Sequence, residues 1–364
     1  MKKNINYIVT FLITVSLFNC RNTTTEVLEE TTNEESVIIK TLAEVEAPNG
    51  LVWVEGKTFL QGAKNSDQYA MPREKPAHNV TVDGFFMDLT EVTNKQFRAF
   101  VEATDYVTIA ERTIDWEEMK KQLPPDATKP HDSVLQPGSL IFNKNVDAVV
   151  NMNNYAQWWT WKVGADWQHP EGPDSNIDGK DNHPVVHVTL DDALAYCKWA
   201  NRRLPTEAEW EAAAQGTNIN TIFTWGNDAS VLDTNANTWQ GVFPTKNESL
   251  DGFEFISPVK SYPKNSIGLY DMTGNVWELT SDLFNVNYYK ELETSQPLIN
   301  PKGAKTSYNP MNSYQEEYII KGGSFLCHAS YCASFRISAK MGVTSDSSSD
   351  HVGFRTVATP DMLN

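Results

Sequence analysis

The chain has 364 residues, 40% of them apolar, with 16 Phe, 13 Tyr and 11 Trp, enough for one large core or two small ones. Its formal net charge is −17, and so acidic a surface repels phosphate backbones, which argues against nucleic acid as a partner. Gly and Pro are plentiful and long periodic apolar runs are few, so the expected fold is a loop-rich α+β domain with little regular secondary structure.

Lys2 and Lys3 precede an apolar stretch from Ile8 to Phe18, the pattern of an export signal and too short for a comfortable bilayer span. Leu17-Phe18-Asn19-Cys20 stands where a bacterial lipobox would be, with Asn an uncommon choice before the Cys. Two readings follow: Cys20 is lipidated, or an ordinary signal peptide happens to contain a Cys. The expectation is an export signal over 1–20 and an exported, lipid-anchored protein of the periplasm or cell envelope, touching membrane through that anchor alone. Residues 21–50 carry no aromatic side chain and are rich in Thr, Glu and Asn, so they are expected to form a disordered tether. Residues 51–364 are then the domain.

Along that domain, Leu51 to Val54 and Thr58 to Leu60 flank Glu55-Gly56-Lys57, which reads as a hairpin with Gly in its turn. Asn79 to Val82 and Phe85 to Asp88 read as further strands. Thr93 and Gln96 form a capping box, with Phe97, Phe100 and Val101 as the inner face of the helix they open. From Arg112 to Asn154 no clean period appears, and a long surface excursion is expected. Trp158, Trp159, Trp161 and Trp167 form an aromatic cluster, read as core packing in preference to a binding surface. Thr189 with Asp192, and Thr206 with Glu209, cap two more helices.

Of the four cysteines, Cys20 belongs to the signal and Cys197 falls on the apolar stripe of the Thr189 helix, where a small buried hydrophobe is expected. Cys327 and Cys332 lie five residues apart behind Gly322-Gly323, so the chain must loop for the thiols to meet. A structural disulfide, a Cu(I) site and a thiol exchange pair all remain open on spacing alone; zinc would want more ligands than His328 adds.

The runs His183-Pro184-Val185-Val186-His187-Val188, Arg203-Leu204-Pro205-Thr206-Glu207-Ala208-Glu209-Trp210, Gly268-Leu269-Tyr270-Asp271-Met272-Thr273-Gly274-Asn275-Val276-Trp277-Glu278, Gly322-Gly323-Ser324-Phe325 and Val352-Gly353-Phe354-Arg355 change the picture. Together they resemble the sulfatase-modifying factor family, whose fold is a C-type lectin-like variant, and the resemblance spans Leu51 to Ala358. The family also holds members without oxidase chemistry, and these commonly lack one or both of the paired cysteines present here.

The resemblance implies a formylglycine-generating oxidase. Such an enzyme converts the cysteine of a Cys-x-Pro-x-Arg motif in an unfolded sulfatase polypeptide to an aldehyde, using O2, a thiol reductant and Cu(I). Cys327 and Cys332 are then the copper ligands, Ser324 and Tyr331 line the site, and Trp277 stands beside the reacting centre or simply packs the core. The resemblance also implies two Ca2+ sites. Asn237 and Asp251 serve one, with the carbonyls of Thr238 and Phe253; Asp271 and Glu278 serve the other, with those of Gly274 and Val276. Asp271 stands where Asn is familiar, and Ala214, Ile337 and Thr356 occupy positions where eukaryotic members pair cysteines. The competing expectations are a non-catalytic surface lipoprotein on the same fold and a thiol exchange protein.

Overall fold

The computed structural model describes residues 46–363. The signal and most of the tether expected at the N-terminus lie outside them. No helix among the described residues is long and apolar enough to cross a membrane.

The first two strands, Leu51–Val54 and Lys57–Gln61, do not pair with each other as the expected hairpin would require. Leu51–Val54 runs antiparallel to Phe85–Asp88, with Leu51 opposite Asp88 and Val54 opposite Phe85. Lys57–Gln61 runs antiparallel to His78–Val82, with Lys57 opposite Val82 and Gln61 opposite His78. The register is the same in both ladders, so the two segments form one long ribbon bent midway. Gly56 sits at the bend, where an added Cβ would lie 2.8 Å from the Gly84 nitrogen. Its glycine marks a close backbone approach, a role that a local reading cannot separate from a turn. Val357–Ala358 closes one end of the ribbon on Phe85–Asp88, and Leu298–Ile299 lies parallel to His78–Val82 at the other.

A four-stranded sheet follows the order Met341–Thr344, Glu317–Lys321, Trp277–Leu283, Val352–Gly353. Between it and the ribbon lies the helix Glu207–Gln215, all nine of whose residues are buried. Its small face, Ala212 to Ala214, fits the apolar cluster of Val80, Phe85, Met87 and Ile337. Ala214 and Ile337 therefore meet as hydrophobes. Glu207 and Glu211 on the same helix are compensated by two buried lysines, Lys321 2.8 Å from Glu211 and Lys340 3.0 Å from Glu207.

The other two longer helices, Asn94–Thr104 and Leu190–Trp199, also begin at the expected capping boxes. Each satisfies backbone donors that would otherwise be orphaned. Phe97, Phe100, Tyr196 and Cys197 pack between them, and burial pushes the Cys197 thiol up to about 12, as an inert core residue requires.

The stretch expected as a surface excursion is only partly so. Trp116–Met119 has no buried residue, but Gly138–Phe142 pairs with Trp159–Val163 and buries Ser139 and Phe142. A five-residue strand inside a long loop is too short to leave a visible period. Of the tryptophans, Trp158 and Trp167 are buried in the core, while Trp159 and Trp161 are half-buried on that hairpin.

Candidate active site

The cysteine loop leaves the edge of the strand Glu317–Lys321 through two consecutive left-handed glycines, Gly322 (φ 89°) and Gly323 (φ 76°). A Cβ on Gly323 would stand 2.9 Å from the Ser334 carbonyl, so this glycine lets the two ends of the loop touch. Within the loop, the Cys327 nitrogen donates to the Ser324 carbonyl (2.9 Å), and the nitrogens of Tyr331, Cys332 and Ala333 all donate to the carbonyl of His328 (3.0, 2.9 and 3.1 Å). These turns bring the two thiols into hydrogen-bond contact, and both are free.

The pair is electrostatically unequal. Cys327 is fully buried, and burial together with the hydrogen bond it donates to Cys332 pushes its thiol well above the usual range. The half-buried Cys332 is held low by that same bond, then by Ser334 and by the positive charge of Arg73. Arg73 is itself fixed by a bond from Nε to the Lys340 carbonyl (2.8 Å). One sulfur is thus a buried hydrogen-bond donor and the other a half-buried acceptor whose thiolate is favoured.

Ser324 is buried; its nitrogen lies 3.4 Å from the Cys327 sulfur, and its hydroxyl accepts from the Leu326 nitrogen at 3.3 Å. Tyr331 stacks on Phe243 at 4.4 Å between centroids and meets Trp158 and the exposed Tyr155 edge-on, so an aromatic wall borders the loop. Trp277 is buried in the same apolar cluster as Cys327 and Phe335, and forms part of the core behind the thiols. Among the described residues no three His, Cys, Asp or Glu side chains gather as a metal cage, which leaves a zinc reading without further ligands.

The oxygen-bearing residues form two loops that grip the cysteine loop. The Trp239 nitrogen donates to the Cys327 carbonyl (3.1 Å), the Phe325 nitrogen to the Asn275 carbonyl (2.9 Å), and the Gly274 nitrogen to the Gly322 carbonyl (2.9 Å). In the first loop Asn237 Oδ1 is buried with no hydrogen-bond partner, and Thr238 is buried beside it. Asp251 accepts from the nitrogens of Thr238 (2.9 Å) and Phe253 (3.0 Å). In the second loop Asp271 Oδ1 is likewise orphaned, and burial pushes its carboxyl up to about 6. Gly274 and Val276 flank Asn275, which joins the loops by accepting from Asn237 Nδ2 (3.2 Å) and donating to Glu91 Oε1 (3.0 Å). Glu278 offers no free oxygen: Arg355 binds both of them at 2.6 Å and the Trp210 indole donates to one at 2.7 Å.

Three residues of this region escaped sequence reasoning. Glu91 has an orphaned buried Oε2, and burial and the nearby Asp271 push it well above the usual carboxylate range. Arg73 acts on Cys332 through its charge, and Phe243 stacks on Tyr331, each from a segment distant in sequence. Only Glu91, an acid between apolar-flanked positions just before a helix cap, left a local trace.

Residues 39–360 match the sulfatase-modifying factor enzyme 1-like domain. The chain is 41% identical to the formylglycine-generating enzyme of Mus musculus, over 85% of this chain and 74% of that protein. It is also 35% identical to the inactive Cα-formylglycine-generating enzyme 2 of the same organism, over 85% of each. Among solved structures, PvdO from Pseudomonas aeruginosa superposes with a TM-score of 0.54 at 20% identity, covering 85% of this chain and 94% of that one, a likeness of fold alone.

Proposed function

The chain belongs to the sulfatase-modifying factor family, and we propose that it converts a sulfatase cysteine to Cα-formylglycine. The observation that carries this reading is the pair of free thiols in contact, one buried and one half-open, beside an aromatic wall. A relative named inactive favours a second reading, a binding lipoprotein without chemistry. An intact, asymmetric thiol pair weighs against it.

Two sulfur donors with no third ligand fit a soft, low-coordinate ion such as Cu(I), held by Cys327 and Cys332. When bound, that ion supplies the redox chemistry by which O2 oxidises the substrate Cβ. The electrons balance if O2 takes two from the substrate carbon and two from a thiol reductant, giving the aldehyde, hydrogen sulfide and water. The chain's own part is positional. The cysteine loop presents Cys332 as the sulfur nearest solvent, Arg73 favours its thiolate, and Tyr331 with Phe243 and Tyr155 forms the wall along which an unfolded sulfatase segment lies.

Calcium fits the first oxygen loop, where Asn237 Oδ1 and Asp251 would be joined by the Thr238 and Phe253 carbonyls. In the second, the orphaned oxygens of Asp271 and Glu91 suit a hard cation with the Gly274 and Val276 carbonyls, while Glu278 is committed to Arg355. On the strength of the N-terminal sequence, we place the activity on an exported, lipid-anchored protein.

Co-expression with a sulfatase in cells lacking their own maturation system tests the proposal. Hydrazide labelling of the sulfatase is expected with the native chain and absent with Cys332→Ser; equal labelling by both would refute it.

A further inference from the structure

An open cavity of about 650 Å³ borders the aromatic cluster that packs beside the cysteine loop. Phe142, Phe255, Ile256 and Phe325 line it, and all four belong to the cluster that also holds Trp158 and Tyr331, neither of which lines the cavity. None of Ser324, Cys327, Tyr331 or Cys332 lines it. Its size and largely apolar wall are those of a small-molecule site.

The charged groups at the cavity say what kind of molecule fits. Three lysines, Lys144, Lys162 and Lys180, line it on a chain of net charge −17. Lys144 is spent on Glu171 (2.6 Å) and lies 4.0 Å over the Phe255 ring. Among the described residues neither Lys162 nor Lys180 has a carboxylate within 4 Å, although the charge of Lys180 is felt by Glu171. The stem of Lys162 is held in place: it crosses Gly172 so closely that a Cβ there would lie 2.3 Å from Lys162 Cε. The segment carrying Lys180 is pinned by Asn94, whose Nδ2 donates to the Lys180 carbonyl at 3.0 Å. Against these stand Glu254, exposed, and Asp350, which is bonded to the Phe142 nitrogen (2.8 Å) and whose burial pushes its carboxyl up to about 7. Lys162 and Lys180 at a cavity walled by aromatic side chains call for an anion with an apolar body.

We propose that this cavity is a second ligand site, separate from the thiol pair, that binds a small amphipathic organic anion: an aryl or short alkyl group carrying one carboxylate, sulfonate or sulfate. The apolar body rests on Phe142, Phe255 and Ile256, and the anion is shared by Lys162 and Lys180.

Isothermal titration of the full chain with 2-naphthalenesulfonate tests this, beside 2-naphthoate, the neutral 2-naphthylmethanol and inorganic sulfate. The two aryl anions are expected to bind in one equivalent, more tightly than the alcohol or sulfate, and their order tells sulfonate from carboxylate preference. The double variant Lys162→Glu/Lys180→Glu, two exposed positions, is expected to weaken binding by at least about tenfold, with aldehyde formation on a sulfatase peptide unchanged. Equal binding of the alcohol, full displacement by sulfate, an unaffected double variant or no binding at all would each overturn the proposal. So would loss of peptide turnover together with anion binding, which would make the cavity part of the peptide site. Because binding is read without turnover, failure of the oxidase reading leaves this test intact.

Discussion

Asp282 is the residue whose environment most directly sets a pH dependence. It is buried at the end of the strand Trp277–Leu283 and accepts from the Glu207 nitrogen at 2.9 Å. Burial, and then the charge of Glu207, pushes its carboxyl from 3.8 up to about 7. A folded value above the unfolded one means that the stability tied to its neutral form is fully present below about pH 4 and lost as pH rises through about 7. Asp282→Asn keeps the acceptor and removes the titration. Urea unfolding is therefore expected to show the native chain losing up to a few kcal/mol more than the variant across that window, since Asp350 and Asp271, also raised by burial, titrate in both; parallel profiles would contradict this. At this scale the glycine pair and the five-residue spacing, being local, showed that the chain must loop for Cys327 and Cys332 to meet, but left the role of the pair open. Arg73 was not legible, because its meaning depends on a carbonyl and a sulfur far away along the chain.

At the scale of elements, the three longer helices were legible through their capping boxes, since a cap and its N3 partner are neighbours in sequence. The opening ribbon was not: Gly56 looks alike in a turn and at a bend, and only the pairing with His78–Asp88 decides between them. The oxygen-bearing loops act as the clamp on the cysteine loop, through the bonds from Trp239, Phe325 and Gly274. If calcium fills them, removing it must loosen that clamp. Treatment with EGTA is expected to cost about 2–4 kcal/mol of stability, the linkage for an ion held at a hundred to a thousand times its Kd, and to speed alkylation of Cys327. Calcium should restore both, and Asn237→Ala should blunt the response. Stability and alkylation indifferent to EGTA would remove calcium from the account.

For the molecule as a whole, buried ion pairs do the joining that regular secondary structure does elsewhere. Arg355 ties the C-terminal strand region to Glu278, and Arg336 ties the end of the cysteine loop to Asp67 and Glu74 (2.6 and 2.7 Å). Lys321 and Lys340 bind the central helix from two further segments. Breaking one such pair from one side leaves a buried charge unpaired, so these contacts constrain how distant loops meet. Composition and motif order were enough to expect a loop-rich α+β body, yet not this wiring, because each pair joins residues that no local pattern relates. The same wiring sets the thiol pair at a half-open edge of the core, with Cys332 half-buried and Cys327 fully buried. The most direct test is mass spectrometry of a Cys-x-Pro-x-Arg peptide incubated with the Cu(I)-loaded full chain, O2 and a thiol reductant. Conversion of the cysteine to an aldehyde, dependent on copper and abolished in Cys332→Ser, is the predicted result; an unchanged peptide, with no copper retained by the reduced protein, would contradict it.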